Sequence, residues 1–165
     1  MCPPLLKYDT IEEYKEHYEL YYCKSPIVTL DGIRIFFPKE KFTHAFYESS
    51  QRNRNKDVFS THRSERMDWI KKTLEHKDAI LYKGWDKDAK EYLDDRRVSI
   101  VYEDFIVVVS LSLNSKGNLK GNFITCYKAD NSIDSINKSP VWDKKTCIEN
   151  LERIKRLKEQ AKNNL

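Results

Sequence analysis

The 165-residue chain is 39% hydrophobic and 34% charged, with a net charge of +4. It is long enough to bury the core of one domain, and this balance of apolar and ionised residues excludes a disordered or fibrous chain. The longest strongly apolar stretch, Phe105 to Leu113, is too short to cross a bilayer; four scattered cysteines without C-x-x-C or paired-histidine spacing point to reduced thiols rather than a metal site or a disulfide frame.

Cys2-Pro3-Pro4 has no basic region and no apolar run after it, so no signal peptide and a cytoplasmic location are expected. Thr10-Ile11-Glu12-Glu13 has the form of a capping box. Ile11, Tyr14, Tyr18 and Tyr21 then recur at helical spacing, predicting a helix to about Cys23 that Ser25-Pro26 ends. Its tyrosine face can pack on the core or stack bases. Ile27 to Leu30, Asp31-Gly32 and Ile33 to Phe37 read as a β-hairpin with a type I′ turn. Pro38 fits the first turn of a helix over about 38–49, with Phe42, Ala45 and Phe46 on one face and His44 and Glu48 four apart on the next.

Ser49 to Lys56 is polar and basic, a predicted loop. The window 52–72 holds Arg52, Arg54, Lys56, Arg63, Arg66, Lys71 and Lys72 against Asp57, Glu65 and Asp68, an excess as large as that of the whole chain. Such a window either attracts polyanions or is a solvated loop and helix face. Ser60 or Thr61 can cap a helix that turns Met67, Ile70 and Leu74 inward, brings Arg63 and Arg66 together on its surface, and ends near His76-Lys77.

From there the apolar period changes to two. Ala79 to Tyr82, Val98 to Tyr102, Phe105 to Leu113 and residues 121–128 predict a four-stranded antiparallel meander. Glu103-Asp104 is its tight turn, Asn114 to Asn118 its hairpin loop, and residues 86–97 a charged excursion. Arg96-Arg97 can line a groove beside Lys83 or neutralise Asp94-Asp95 locally. Ser139 to Trp142 is an anchoring segment, and a terminal helix over about 144–163 carries Ile148, Leu151, Ile154 and Leu157 along one edge. The expected class is α+β in a single domain. A core module over about 40–140 is flanked by the N-terminal helix and hairpin (9–37) and the C-terminal helix.

Several stretches carry a resemblance: Arg63-Ser64-Glu65-Arg66-Met67-Asp68-Trp69-Ile70, Ile80-Leu81-Tyr82, Phe105-Ile106-Val107-Val108-Val109 and Phe123-Ile124-Thr125-Cys126-Tyr127. In this helix-then-meander order the chain resembles the barnase, EndoU, colicin and RelE-like (BECR) nucleases of the phage or mobile-element type, over about residues 40–140. The resemblance implies a metal-independent RNA endonuclease without cofactor, a toxin or phage effector, with RNA as partner and a protein inhibitor or host protein as a further one. The matching positions are His44, Arg63, Arg66, Thr125 and Tyr127. A second histidine securely placed for an EndoU-like pair is lacking, and His62 is the one available at the helix start.

Metal-free RNA cleavage needs a base for the 2′-OH, an acid for the departing 5′-oxygen and donors for the crowded phosphorane. His44 suits either proton role, and Glu48 can act as base or orient its imidazole. Arg63 and Arg66 suit the phosphate bidentately, and Thr125 and Tyr127, on one strand face, can donate to its oxygens. Arg52, Arg54, Lys56, Lys83 and Arg97 are candidate RNA contacts. The competing readings are a non-catalytic nucleic-acid- or protein-binding phage factor that inhibits a host machine, and an assembly protein that pairs through its terminal helix. With four glycines and no Gly-rich phosphate loop, P-loop and Rossmann readings fail.

Overall fold

The computed structural model describes residues 2–51 and 55–164. Helix α1 (Ile11–Tyr18) begins at Thr10, whose Oγ1 accepts from the Glu13 N–H at 3.2 Å. It continues into a π-helical turn, Glu19–Cys23. The wider turn changes which tyrosines point inward: Tyr14, Tyr18 and Tyr22 are buried, whereas Tyr21 is 63% exposed. The expected stripe through Tyr21 is therefore displaced by one residue. Each buried phenol is satisfied, Tyr18 by the Pro38 carbonyl at 2.7 Å and Tyr22 by the Met67 carbonyl at 2.9 Å.

Strands β1 (Ile27–Val28) and β2 (Arg34–Phe36) form the expected hairpin, but its turn is not type I′. Thr29 N–H donates to the Ile33 carbonyl across Leu30, Asp31 and Gly32, and of those three Gly32 alone has a positive φ, +83°. This three-residue loop uses glycine for its left-handed position. Helix α2 (Lys41–Phe46) is shorter than the predicted 38–49, because the chain turns extended at Tyr47 and pairs β3 (Tyr47–Glu48) with β4 (Val58–Phe59).

The predicted helix after Ser60 is broken in two. Ser60 caps α3 (Thr61–Ser64) by accepting from the Arg63 N–H, and α4 (Asp68–Glu75) starts after a turn through residues 65–67. Strand β5 (Ile80–Tyr82) follows. The charged excursion contains its own hairpin, β6 (Gly84–Asp86) paired with β7 (Glu91–Leu93). Then come β8 (Val98–Tyr102), β9 (Phe105–Leu113), β10 (Leu119–Lys128), a short helix α5 (Ile133–Asn137) and the long α6 (Lys144–Asn163). The β9–β10 loop is held by the Asn114 side chain, which accepts from the Lys116 and Asn118 N–H groups.

The fold is α+β around one six-stranded mixed sheet, in the order β1-β2-β10-β9-β8-β5. The last four strands pair antiparallel, while β2 adds to β10 in parallel, so the N-terminal hairpin is part of the sheet rather than a separate flank. One face carries the main core: Tyr14, Tyr18, Tyr22, Phe42, Phe46, Ile70 and Phe123 among others. The opposite face carries a smaller cluster of Tyr82, Val101, Ile106, Val108 and Ala129, with Ile124, Tyr127, Ile133 and Ile136 against it. Along α6 burial fades: Cys147 is buried, Ile154 is 39% and Leu157 58% exposed. Trp142 and Cys147 root that helix by donating to the Asp94 carbonyl. Among the described residues no helix is long and apolar enough to cross a membrane.

Candidate functional site

Simple alternation puts Phe123, Thr125 and Tyr127 on one face of β10. A β-bulge at Ile124 keeps Thr125 and Tyr127 on one face but puts Phe123 on the other. The register moves from Phe123↔Val109 to Thr125↔Val108 and Tyr127↔Ile106. Phe123 and Cys126 consequently point into the main core, while Tyr127 turns to the opposite face with Ile106 and Val108. Alongside, β2 pairs only with Lys120 to Asn122, so among the described residues the bulged remainder of β10 has no strand on that side. Helices α2 and α3 pack against β10 instead.

The cationic side chains gather at this open margin. Arg63 sits mostly buried, its guanidinium donating to the Ala45 carbonyl (3.3 Å) and paired with Glu48 at 3.4 Å. Burial pushes the Cys126 thiol on β10 up to about 12, with the Arg63 charge pulling against it. His44 on α2 is held below the ordinary histidine range by partial burial and by the charges of Lys41, Lys56, Arg97 and Arg63. Partial burial and Arg63 likewise lower Lys56, against the pull of Glu48. Tyr127 is raised by burial, while Arg97 and Arg63 act to lower it. Lys41, Lys56, Arg63 and Arg97 thus all act on His44, and Glu48 is engaged by Arg63. His44 is a neutral imidazole and Tyr127 a neutral phenol near pH 7, the states of a proton acceptor and a proton donor.

The sequence-predicted residues are thus sorted. Arg63 and Arg97 act on both His44 and Tyr127, and Lys56 acts on His44, but His44 stands on α2 over the main-core face while Tyr127 turns to the other face of the sheet. Glu48 is not one helical turn from His44, since α2 ends before it, and its carboxylate holds Arg63 instead. Arg66 stands in the turn between α3 and α4, its N–H donating to the Arg63 carbonyl at 3.1 Å, but its guanidinium takes different partners: it donates to the His62 carbonyl and lies over the Trp69 ring at 5.1 Å. Neither arginine takes Glu65 or Asp68, which pair with Lys7 and His17. Thr125 is only 8% exposed and its buried Oγ1 has no partner among the described residues, so it is an interior hydroxyl, not a surface donor. Arg96, not Arg97, answers a local acid, and that acid is Asp86 at 3.9 Å, not Asp94 or Asp95. Lys83 stands with Arg97 and Tyr127 around a cavity of about 360 Å³ on the second face of the sheet. Arg52 and Arg54 lie outside the described residues.

A second polar constellation carries no expectation from sequence. The ring of His17, 8% exposed, is bonded on both nitrogens, Nε2 to Asp68 Oδ1 at 2.8 Å and Nδ1 to the Tyr8 hydroxyl at 2.9 Å. A carboxylate only accepts, so Nε2 carries a proton, and in the neutral ring Nδ1 accepts from Tyr8. Burial pushes the Asp68 carboxyl up, but the His17 and Tyr22 hydrogen bonds outweigh it and hold the group below its ordinary range. The partners are 51 residues apart in sequence, and no local spacing signals them.

Compared with family models, with curated proteins and with solved structures, the chain has no match.

Proposed function

We propose that this protein is a metal-independent RNA endonuclease of the BECR kind, acting in the cytoplasm as a toxin or phage effector. The observation that supports the reading most is the imidazole of His44, lowered by partial burial and by the charges of Lys41, Lys56, Arg97 and Arg63; Arg97 and Arg63 also act on the half-buried phenol of Tyr127, which lies toward the other face of the sheet. Cations in excess of acids at a partly desolvated margin favour a phosphodiester there.

In this mechanism His44 removes the 2′-OH proton, and the 2′-oxygen attacks the adjacent phosphorus. Arg63, held in place by Glu48 and the Ala45 carbonyl, meets the negative charge that grows on the phosphorane, with Lys56 and Arg97 adding to the field. Tyr127 gives its proton to the departing 5′-oxygen. The products are a 2′,3′-cyclic phosphate and a 5′-hydroxyl. Arg66 and Thr125 take no part.

The test is incubation of the purified protein with total RNA in EDTA, comparing wild type, His44→Ala and Arg63→Ala. Cleavage that survives EDTA and is lost in both variants supports the reading. A salt-sensitive RNA complex without cleavage would instead favour the non-catalytic binding factor, because phosphate contacts weaken steeply with salt.

A further inference from the structure

The β6–β7 hairpin presents two large aromatic rings to solvent. Trp85 and Tyr92 face each other across the two strands, with ring centroids 5.0 Å apart and planes at 68°. They are 49% and 42% exposed, although a tryptophan gains by burying its ring. Both line the same 360 Å³ cavity as Lys83, Arg97, Ser99 and Tyr127. An aromatic wall, two cations and a phenol thus border one concave space.

This hairpin is fixed relative to Arg97. A Cβ on Gly84 would fall 2.1 Å from the Arg96 carbonyl oxygen and 2.4 Å from that of Arg97, so only glycine lets the strand lie on that backbone. Arg97 itself holds a positive φ of 52°, and Arg96 reaches back to Asp86 on β6. The aromatic pair is therefore set at a defined place beside one of the cations that act on His44 and Tyr127.

We infer that the hairpin stacks an unpaired base of the substrate on Trp85, with Tyr92 supporting the ring, while Lys83 and Arg97 hold the neighbouring phosphates. The substrate is then single-stranded RNA. In a duplex each base face is covered by its neighbours and the ring has nothing to stack on, whereas an unpaired base of any sequence offers its π-face. This rests on the nuclease reading for the identity of the polymer, but its readout is binding, which needs no turnover.

The probe is an unstructured, end-labelled RNA of about ten nucleotides, alone or annealed to its complement, titrated by anisotropy into protein carrying His44→Ala. The single strand should bind more tightly than the duplex and quench tryptophan emission. Adding Trp85→Ala should weaken the single strand by about five- to 150-fold, which is the loss of one stacked base at about 1–3 kcal/mol, and leave the duplex unchanged. Trp85→Phe, which keeps a stacking face, should restore the affinity and abolish the quenching. Equal binding of single strand and duplex, or a Trp85→Ala protein that binds the single strand as its parent does, overturns the inference. If wild type cleaves RNA while Trp85→Ala keeps its kcat and KM, stacking fails and the nuclease stands. If Trp85-dependent binding occurs without any cleavage, stacking stands and the nuclease fails.

Discussion

Two histidines divide this molecule. His17 is buried, bonded on both ring nitrogens, and ties Tyr8 and α1 to Asp68 at the start of α4. His44 has an accessible ring with no hydrogen bond among the described residues, and partial burial together with like-signed neighbours lowers its affinity for a proton. A saturated imidazole can hold elements together but has no lone pair to offer a substrate. An imidazole kept neutral in a cationic setting has that lone pair, and the cations that keep it neutral also attract a phosphate. The contrast teaches that environment, not residue type, separates the structural histidine from the candidate catalytic one.

The largest expected effect separates them directly. His44→Ala should lower RNA cleavage by about 10²–10⁴-fold, the usual range for a general base, with no change in thermal midpoint. His17→Ala should do the reverse, costing about 1–3 kcal/mol of stability because Asp68 loses its charged hydrogen bond, with activity per folded molecule retained. Parallel melting curves and initial rates decide this. If His17→Ala lost cleavage without losing stability, the assignment of the two roles would be inverted.

Next in size is the split between the arginines. Arg63→Ala should reduce kcat by about 10²–10³-fold, as for loss of one preorganised donor. Arg66→Ala should leave kcat unchanged and affect stability alone, since its guanidinium contacts the His62 carbonyl and the Trp69 ring. Single-turnover rates of both variants, measured beside wild type, test the divergence that the break between α3 and α4 creates.

A third expectation concerns pH. Catalysis needs the neutral form of His44, so the rate should rise with pH through a midpoint below the ordinary histidine value of about 6.5 and be level at neutrality. It should fall only in strong alkali, where Tyr127, raised above the ordinary tyrosine range, loses its proton. An acidic limb centred above the ordinary value would remove His44 from the role of base.

The smallest effect lies in the stability curve and belongs to the other histidine. Asp68 has a lowered carboxyl in the folded chain, so the unfolded chain binds its proton first as pH falls. Its contribution is complete above about pH 4 and is lost as pH drops through the lowered folded value. Asp68→Asn should therefore flatten the acid limb of urea-derived stability and leave the limb above neutrality alone.

What the sequence could disclose follows the range of the forces involved. Strands β8, β9 and β10, the cap at Thr10, the loop at Asn114 and the long α6 depend on residues within a few positions of each other, and the periodicity read them. The parallel addition of β2 to β10 did not follow from any local pattern, because it is set by the core beneath. The candidate site was legible as a list of residue types and not as a geometry. A single extra residue at Ile124 moved Thr125 and Tyr127 together off the face of Phe123, an early end to α2 moved Glu48 onto Arg63, and the turn at 65–67 gave the Arg66 guanidinium other partners than Arg63 has. Of the two readings of Arg97 that the sequence leaves open, a groove contact or a local counter-charge, the first fits better: its charge acts on His44 and Tyr127, while Arg96 takes Asp86. Each departure spans only one to three residues and changes what a side chain can reach.

The central claim is that His44, in the field of Lys56, Arg63 and Arg97, activates the RNA's own 2′-hydroxyl. Its most direct test is the chemistry of the cut ends left when wild-type protein acts on RNA in EDTA. The account predicts 2′,3′-cyclic phosphate and 5′-hydroxyl termini, and no cut where the 2′-hydroxyl is replaced by hydrogen. Termini bearing a 3′-hydroxyl and a 5′-phosphate, cleavage of the 2′-deoxy position, or intact RNA would contradict it.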